Sequence, residues 1–165
     1  ERIARKNIVS DPASIYFEPS HEPALIVMAK EILEERPCIT QKVLALEIAS
    51  RHGKGKTSKK QLELLARLVD SWAGLLTVDS QLPVYWVSPE LVADIVPWRG
   101  LSPFGYDRTW SEIAYPEAVG LAKEAIRRQP SDPVDYICET FGLKRRVATT
   151  LGVFQGWVTA ATGDE

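Results

Sequence analysis

The sequence predicts an α+β fold that is mostly α-helical. Over most of the chain, apolar residues recur three and four positions apart, which is the spacing of a helix packed on one face. Two short runs rich in β-branched and aromatic residues, at 75–78 and 83–87, predict a pair of strands. The 165 residues are 45% hydrophobic and 25% charged, a globular composition that excludes disorder as the main state.

Two helices are expected before the strands, each with recognisable ends. The first begins near Pro23, which suits a first helical turn, and ends near Arg36, because Pro37 disfavours a helix at the residue before it. Thr40 is placed to cap the second helix, and Gly53 is a natural end for it.

A third helix is expected to have a buried face and an exposed one. Ser58 and Gln61 have the spacing of a capping box, and the helix is predicted to run to about Trp72. The stripe expected to be buried consists of Leu62, Leu65, Ala66, Val69 and Trp72. The residues expected on another face are Lys60, Glu63, Arg67 and Ser71.

Three helices followed by a hairpin match a winged helix, which is a variant of the helix-turn-helix. We therefore expect a winged-helix domain at 21–90, preceded by an N-terminal arm at 1–20. Residues 91–108 are expected to form a connector, and their part at 97–108, which is rich in Gly, Pro and aromatic residues, predicts a packed segment rather than a flexible linker. Residues 109–165 carry further helix-start signals and predict a helical C-terminal region, whose last helix runs from about Lys144 to Ala161.

A short pattern occurs twice along the chain. Residues 46–53 and 135–142 each contain Ile, a small residue, two further residues, a ring and then Gly, and a basic cluster follows each. These segments are either two copies of half a helix-turn-helix or the common pattern of two helices joined at a glycine. A single short match favours the second interpretation.

Residue content restricts the classes of function. The net charge is 20 − 22 = −2, so any contact with nucleic acid must depend on local charge. Cys38 and Cys138 are the only cysteines and predict a reducing, cytoplasmic setting without a disulfide framework. With two histidines besides, the chain is not expected to bind a metal. No apolar run approaches the roughly 18 residues of a membrane helix, so no membrane partner is expected.

The chain is expected to be noncatalytic and to bind no cofactor. Gly55-Lys56-Thr57 resembles the end of a phosphate-binding loop, but Ser50 stands where that motif needs Gly, and a helical pattern replaces the required strand. His52 has no evident nucleophile partner and is expected at the loop surface or at a phosphate.

A basic patch precedes and opens the third helix, and it is the strongest functional signal. No acidic residue interrupts it, and phosphate oxygens are its expected partners. The alternative is a merely solvated loop. The predicted DNA-contacting residues are Arg51, Lys54, Lys56, Lys59, Lys60 and Arg67.

Two features of the same region favour a different partner. The expected wing carries Asp79 and no Lys or Arg, and Glu63 lies among the basic residues of the third helix. Docking to protein, or dimerisation of the chain, is therefore the alternative function. A second basic cluster at 144–146, with Arg127 and Arg128 upstream, either extends one positive face or belongs to two unrelated helix ends.

The segment from Pro37 to Val87 resembles the winged-helix-type domain of unknown function near the C-terminus of large bacterial helicase-like proteins. The residues that carry the resemblance include Ile39-Thr40, Leu46, Ile48-Ala49, His52-Gly53, Leu62, Leu65 and Arg67, continued by Pro97-Trp98-Arg99, Arg108, Glu112-Ile113-Ala114 and the segment 141–147. The resemblance implies a helicase-associated DNA-binding or regulatory domain beside helicase or nuclease domains of the same polypeptide. Because the chain starts with Glu1, we expect a piece of a longer protein.

Overall fold

The chain consists of two compact units. A computed structural model describes residues 16–78 and 81–163. The first unit ends at Val92 and the second begins at Ala93, so most of the connector expected at 91–108 lies in the second unit. The described residues are mostly helical with one small sheet, which confirms the predicted α+β, mostly α class. Most of the N-terminal arm predicted at 1–20 lies outside the described residues.

The first unit combines three helices with a three-stranded sheet. In chain order its elements are α1 (Glu22–Glu35), β1 (Ile39–Thr40), α2 (Gln41–Arg51), α3 (Lys59–Val69), β2 (Gly74–Leu76) and β3 (Val84–Trp86). The sheet is antiparallel in the order β1-β3-β2, and Tyr85 pairs with Ile39 on one side and Leu75 on the other. The sequence did not predict β1, because two residues show no alternation and only their pairing with β3 makes them a strand.

The predicted caps set the ends of these helices. The Thr40 side chain accepts a hydrogen bond from the Val43 N–H at 3.2 Å. Ser58 and Gln61 form both bonds of the capping box. The helix that Ser58 opens ends at Val69 rather than at the predicted Trp72.

The core of the first unit lies between the three helices and β3. Leu33, Leu44, Ile48 and Val69 are completely or almost completely buried there. Tyr85 crosses this core, and its hydroxyl donates to Asp70 Oδ1 at 2.7 Å and accepts from Gln41 Nε2 at 3.2 Å. Because Asp70 caps α3 and Gln41 opens α2, one buried side chain fixes the ends of two helices against the sheet.

The second unit is a three-helix bundle. Its helices are α4 (Tyr115–Arg128), α5 (Pro133–Thr140) and α6 (Ala148–Thr162). Asp132 caps α5 by accepting from the Asp135 N–H, as its position before Pro133 predicts. The last helix begins four residues later than the predicted Lys144, since three consecutive cations in its first turn would oppose the helix dipole.

A buried ion cluster fixes the irregular segment before α4. Glu117 is 0% exposed, and its two carboxylate oxygens accept from Arg108 Nη1 and Nη2 at 2.8 and 2.7 Å. Arg99 Nη2 donates to the same carboxylate at 2.6 Å, and Arg108 Nη2 also donates to the Gly100 carbonyl at 2.7 Å. The Arg108 guanidinium lies 5.2 Å from the centre of the Trp98 ring, which adds a cation–π contact to this cluster.

Candidate nucleic-acid interface

The basic loop leaves α2 through a glycine turn. Gly53 has a φ of 74°, a left-handed conformation that favours glycine. The Lys54 N–H donates to the Ala49 carbonyl at 2.9 Å, and the Gly53 N–H donates to the Ser50 carbonyl at 3.0 Å. These two bonds form a Schellman motif, which ends α2 and directs the chain towards α3.

The lysines of this loop and of the first turn of α3 form a surface that we call the loop-lysine surface, defined by Lys54, Lys56, Lys59 and Lys60. Lys56, Lys59 and Lys60 are exposed. The Lys59 side chain is 91% exposed, and its nearest carboxylate oxygen, on Glu63, is 3.9 Å away. Such an exposed ion pair contributes little to stability, so the ammonium charges stay available to a partner.

Aromatic rings support two of these lysines. Lys60 Nζ lies 4.4 Å from the centre of the Phe17 ring, and Lys54 Nζ lies 5.4 Å from that of Tyr16. Cation–π contacts of this kind hold the lysine stems without neutralising their charge. The segment just before α1 therefore positions part of the loop-lysine surface.

Arg51 does not belong to this surface. It is 5% exposed, and its Nη1 lies 2.7 Å from Glu31 Oε2, so its charge faces α1. Position 51 follows Leu44 and Ile48 by seven and three residues, so all three lie on the buried face of α2. This spacing indicates from the sequence alone that Arg51 is buried. That Glu31 is the partner of Arg51 is decided only by folding.

Arg67 lies at the other end of α3 and is already paired. Its side chain is 61% exposed and forms an ion pair with Glu22 of α1. Between it and the first turn, Phe17, Lys60, Glu63, Leu64 and Arg67 line an open groove of about 370 Å³. Glu22 pairs closely with Arg67, whereas Glu63 reaches Lys59 only at 3.9 Å, so the exposed cations at the N-terminal end of α3 are less neutralised than Arg67.

His52 is not at the loop surface, contrary to the prediction from sequence. It is 1% exposed, and its Nδ1–H donates to the Ile48 carbonyl at 2.8 Å. Because a carbonyl only accepts, the neutral ring keeps Nε2 free to accept from the His21 Nε2–H, also at 2.8 Å. The Tyr16 ring packs edge-on against it at a centroid distance of 4.7 Å. His52 is therefore a buried link between the α2 end and the segment before α1.

We expect His52 to make folding pH-dependent. Burial is the main cause that lowers the pKa of His52 below its ordinary value of about 6.5. The unfolded chain therefore binds a proton that the folded chain resists, and stability falls as the pH drops below about 6.5. In urea unfolding, His52→Asn should be less stable than the wild type above pH 7, and this deficit should narrow towards pH 5. A deficit that is constant across that range would contradict the assignment.

The connection between β2 and β3 contributes no positive charge. Residues 77–83 contain no Lys or Arg, and two of them, Asp79 and Ser80, lie outside the described residues. Leu75 of β2 and Leu82 within this connection are 38% and 47% exposed. The connection therefore offers no cation to a partner, and its exposed described residues are Thr77, Gln81 and Leu82.

Sequence reasoning missed Glu117, the most buried carboxylate of the second unit. A signal was present, since Glu117 lies four residues before Leu121 and eight before Ala125 on the apolar face of α4. Tryptophan side chains contribute to the packing of both units. Trp86 and Trp157 are buried, and Trp72 is half-buried with its Nε1–H donating to the Leu68 carbonyl.

Comparison of the chain with protein-family models, with curated proteins and with solved structures gives no match. The resemblance to the domain of helicase-like proteins therefore stays a prediction. No helix within 16–78 and 81–163 has both the length and the apolar character to cross a bilayer. In the same part of the chain, no three or more His, Cys, Asp or Glu side chains gather as a metal-binding group.

Proposed function

We propose that this chain is a noncatalytic accessory module that binds DNA through its phosphates and belongs to a larger helicase- or nuclease-like protein. The first unit is proposed to be a winged helix. What supports this is the element order helix, strand, helix, helix, strand, strand, together with a sheet in which β1 pairs with β3. In that arrangement α3 is the helix that a helix-turn-helix presents to DNA.

One observation carries the proposal: four lysines lie together where α3 begins, and no carboxylate occurs in the chain between Glu47 and Glu63. The first turn of α3 holds no acidic residue, and cations there oppose the helix dipole, so they do not stabilise the helix itself. Such an arrangement fits a polyanion whose phosphates lie against the loop-lysine surface. Because the β2–β3 connection offers no cation, we propose phosphate contacts rather than base recognition by a wing.

Replacement of Lys56 and Lys59 tests this proposal. Both side chains are exposed, and the long Lys59–Glu63 pair is the one ion pair that either forms with the described residues. We expect K56A/K59A to weaken binding of a fluorescein-labelled duplex by at least about tenfold at 0.1 M salt, and to reduce the slope of log K against log salt by roughly 1.8. Fluorescence anisotropy between 50 and 300 mM NaCl measures both quantities.

The matched control is K30A/K42A, which removes the same charge elsewhere in the first unit. Lys30 lies over the Trp72 ring, and Lys42 lies at the end of α2 opposite the loop, about 14 Å along the helix axis. Equal slopes for the two double variants would contradict specific contact at the loop-lysine surface. Failure of the wild-type chain to bind duplex at 50 mM salt would overturn DNA binding altogether.

The second candidate function is docking to protein, and exposed leucines favour it. Leu82 and Leu91 are 47% and 51% exposed, and Leu75 lies on the edge strand β2. Exposed apolar side chains of this size are typical of contact surfaces when they adjoin one another. The partners would be the helicase or nuclease domains of the same polypeptide, or a second copy in a homodimer.

A further inference from the structure

The second unit repeats the local design of the basic loop. At the end of α5, Gly142 has a φ of 63°, the Leu143 N–H donates to the Cys138 carbonyl at 3.0 Å, and the Gly142 N–H donates to the Glu139 carbonyl at 3.0 Å. These are the same two bonds that Lys54 and Gly53 make at the end of α2. The similarity of 46–53 and 135–142 therefore extends from sequence to backbone geometry.

The chain that follows this second turn carries positive charge and no carboxylate. Lys144, Arg145 and Arg146 come directly after the glycine turn, and no acidic residue occurs between Glu139 and Asp164. Lys144 and Arg145 are exposed, and neither forms an ion pair with another described residue within 4 Å. Their charges are therefore available in the same way as those of Lys56 and Lys60.

Arg146 fixes this turn against the rest of the unit. It forms an ion pair with Asp135, whose other carboxylate oxygen accepts from Gln129 Nε2 at 2.9 Å. Gln129 directly follows Arg128, the last residue of α4. One carboxylate thus connects the turn at 144–146 with the basic end of α4, so the two clusters do not belong to unrelated helix ends.

The helix after the turn exposes an uncharged face. None of the fifteen residues of α6 is charged, and its exposed positions include Thr149, Gly152, Val153 and Gly156. A Cβ added at Gly152 or Gly156 would meet nothing within 4 Å. This face presents no carboxylate to a phosphate backbone, and Val153, which is 39% exposed, is a large apolar side chain on it.

From these observations we infer that α5, its glycine turn and α6 form a second helix-turn-helix surface that binds the phosphate backbone of duplex DNA through Lys144 and Arg145. This inference rests on the proposed DNA-binding function and extends it to the second unit. Charge complementarity selects the partner, since Lys144 and Arg145 are exposed cations within an acid-free stretch of the chain, while Arg146 beside them is paired with Asp135.

The test compares K144A/R145A with the loop-lysine variant K56A/K59A and with the control K30A/K42A, each in the full chain. Anisotropy titrations with the same labelled duplex from 50 to 300 mM NaCl measure the salt slope. We expect K144A/R145A to lower the slope by roughly 1.8, and the quadruple variant to lower it by roughly twice as much. The charge-preserving K144R/R145K should keep the wild-type slope, and circular dichroism should show unchanged helix content in every variant.

The possible outcomes separate the two proposals. If K56A/K59A lowers the slope while K144A/R145A matches the control, the second surface is wrong and the proposed function stands. If the wild type does not bind the duplex, both proposals are wrong. Poly-glutamate is tested as a competitor at the same total charge as unlabelled duplex. If the two displace the labelled duplex equally, the surface binds acidic protein and the DNA assignment is wrong.

Discussion

Gly120→Ala should be among the most destabilising single substitutions in the second unit. A Cβ at position 120 would lie 1.9 Å from the Val96 carbonyl oxygen and 2.9 Å from the Val96 carbonyl carbon. Both atoms belong to the backbone, and the Val96 N–H is itself bonded to the Pro116 carbonyl at 3.0 Å, so neither side of the contact yields easily. We expect the free energy of unfolding, measured in urea, to fall by at least about 3 kcal/mol. This value is at or above the upper end of the range for substitutions that overpack a core.

Gly156→Ala is the matched control, because it places the same methyl group in another helix where nothing lies within 4 Å. Removing the backbone freedom of glycine from a helix interior should stabilise the protein by about 0.5–1 kcal/mol. The two substitutions therefore have opposite predicted signs. A G120A variant as stable as the wild type would show that Val96 does not approach α4 as closely as described.

Glu117→Gln should cause the second large loss, because it removes a buried carboxylate from two arginines. Burial alone would raise the pKa of Glu117, but the hydrogen bonds and charges of Arg108 and Arg99 outweigh it and keep that pKa below its ordinary value. The amide keeps one acceptor oxygen, but its NH2 group replaces the oxygen that accepts from Arg108 Nη2 and from the Arg99 N–H, so donors face donors there. Arg108, whose side chain is 4% exposed, is also left with uncompensated charge. Removing one partner of such a buried ion cluster lowers the free energy of unfolding by about 3–5 kcal/mol, which urea unfolding again measures.

Two comparisons identify the cause of that loss. Glu124 lies on the same helix, and Glu124→Gln removes its 3.7 Å ion pairs with Arg127 and Arg128. This substitution should lower the free energy of unfolding by less than about 1 kcal/mol. The double variant E117M/R108M removes the charge pair together and should recover most of the stability lost in E117Q. If the double variant is as unstable as E117Q, the loss does not come from an uncompensated charge.

Local sequence signals were sufficient for much of the secondary structure. Thr40, Ser58 and Asp132 act as caps where their positions predict, because a capping bond spans only three residues. The position of the loop-lysine surface follows from the same signals, since Gly53 ends one helix and Ser58 opens the next. The strand β1 could not be found in this way, because Ile39 pairs with Tyr85 and Thr40 with Val84, far along the chain.

The roles of individual charged residues depended on distant contacts. Arg51 and Lys54 are three positions apart in one basic run, yet Arg51 is buried against Glu31 and Lys54 lies over the Tyr16 ring. The run of charges alone does not separate them. Helical periodicity puts Arg51 on the buried face of α2, but only the packing of α1 against α2 supplies the carboxylate that makes its burial tolerable.

For this protein the sequence by itself determined where most helices begin and end, the mostly helical class and the acid-free lysine run before α3. These depend on interactions between residues a few positions apart. Only the tertiary structure decided that Arg51 and His52 face inward, that Glu117 holds Arg99 and Arg108, and that Asp135 joins Arg146 to Gln129. The physical reason is that burial makes a charge depend on a partner, and here those partners come from other helices or loops.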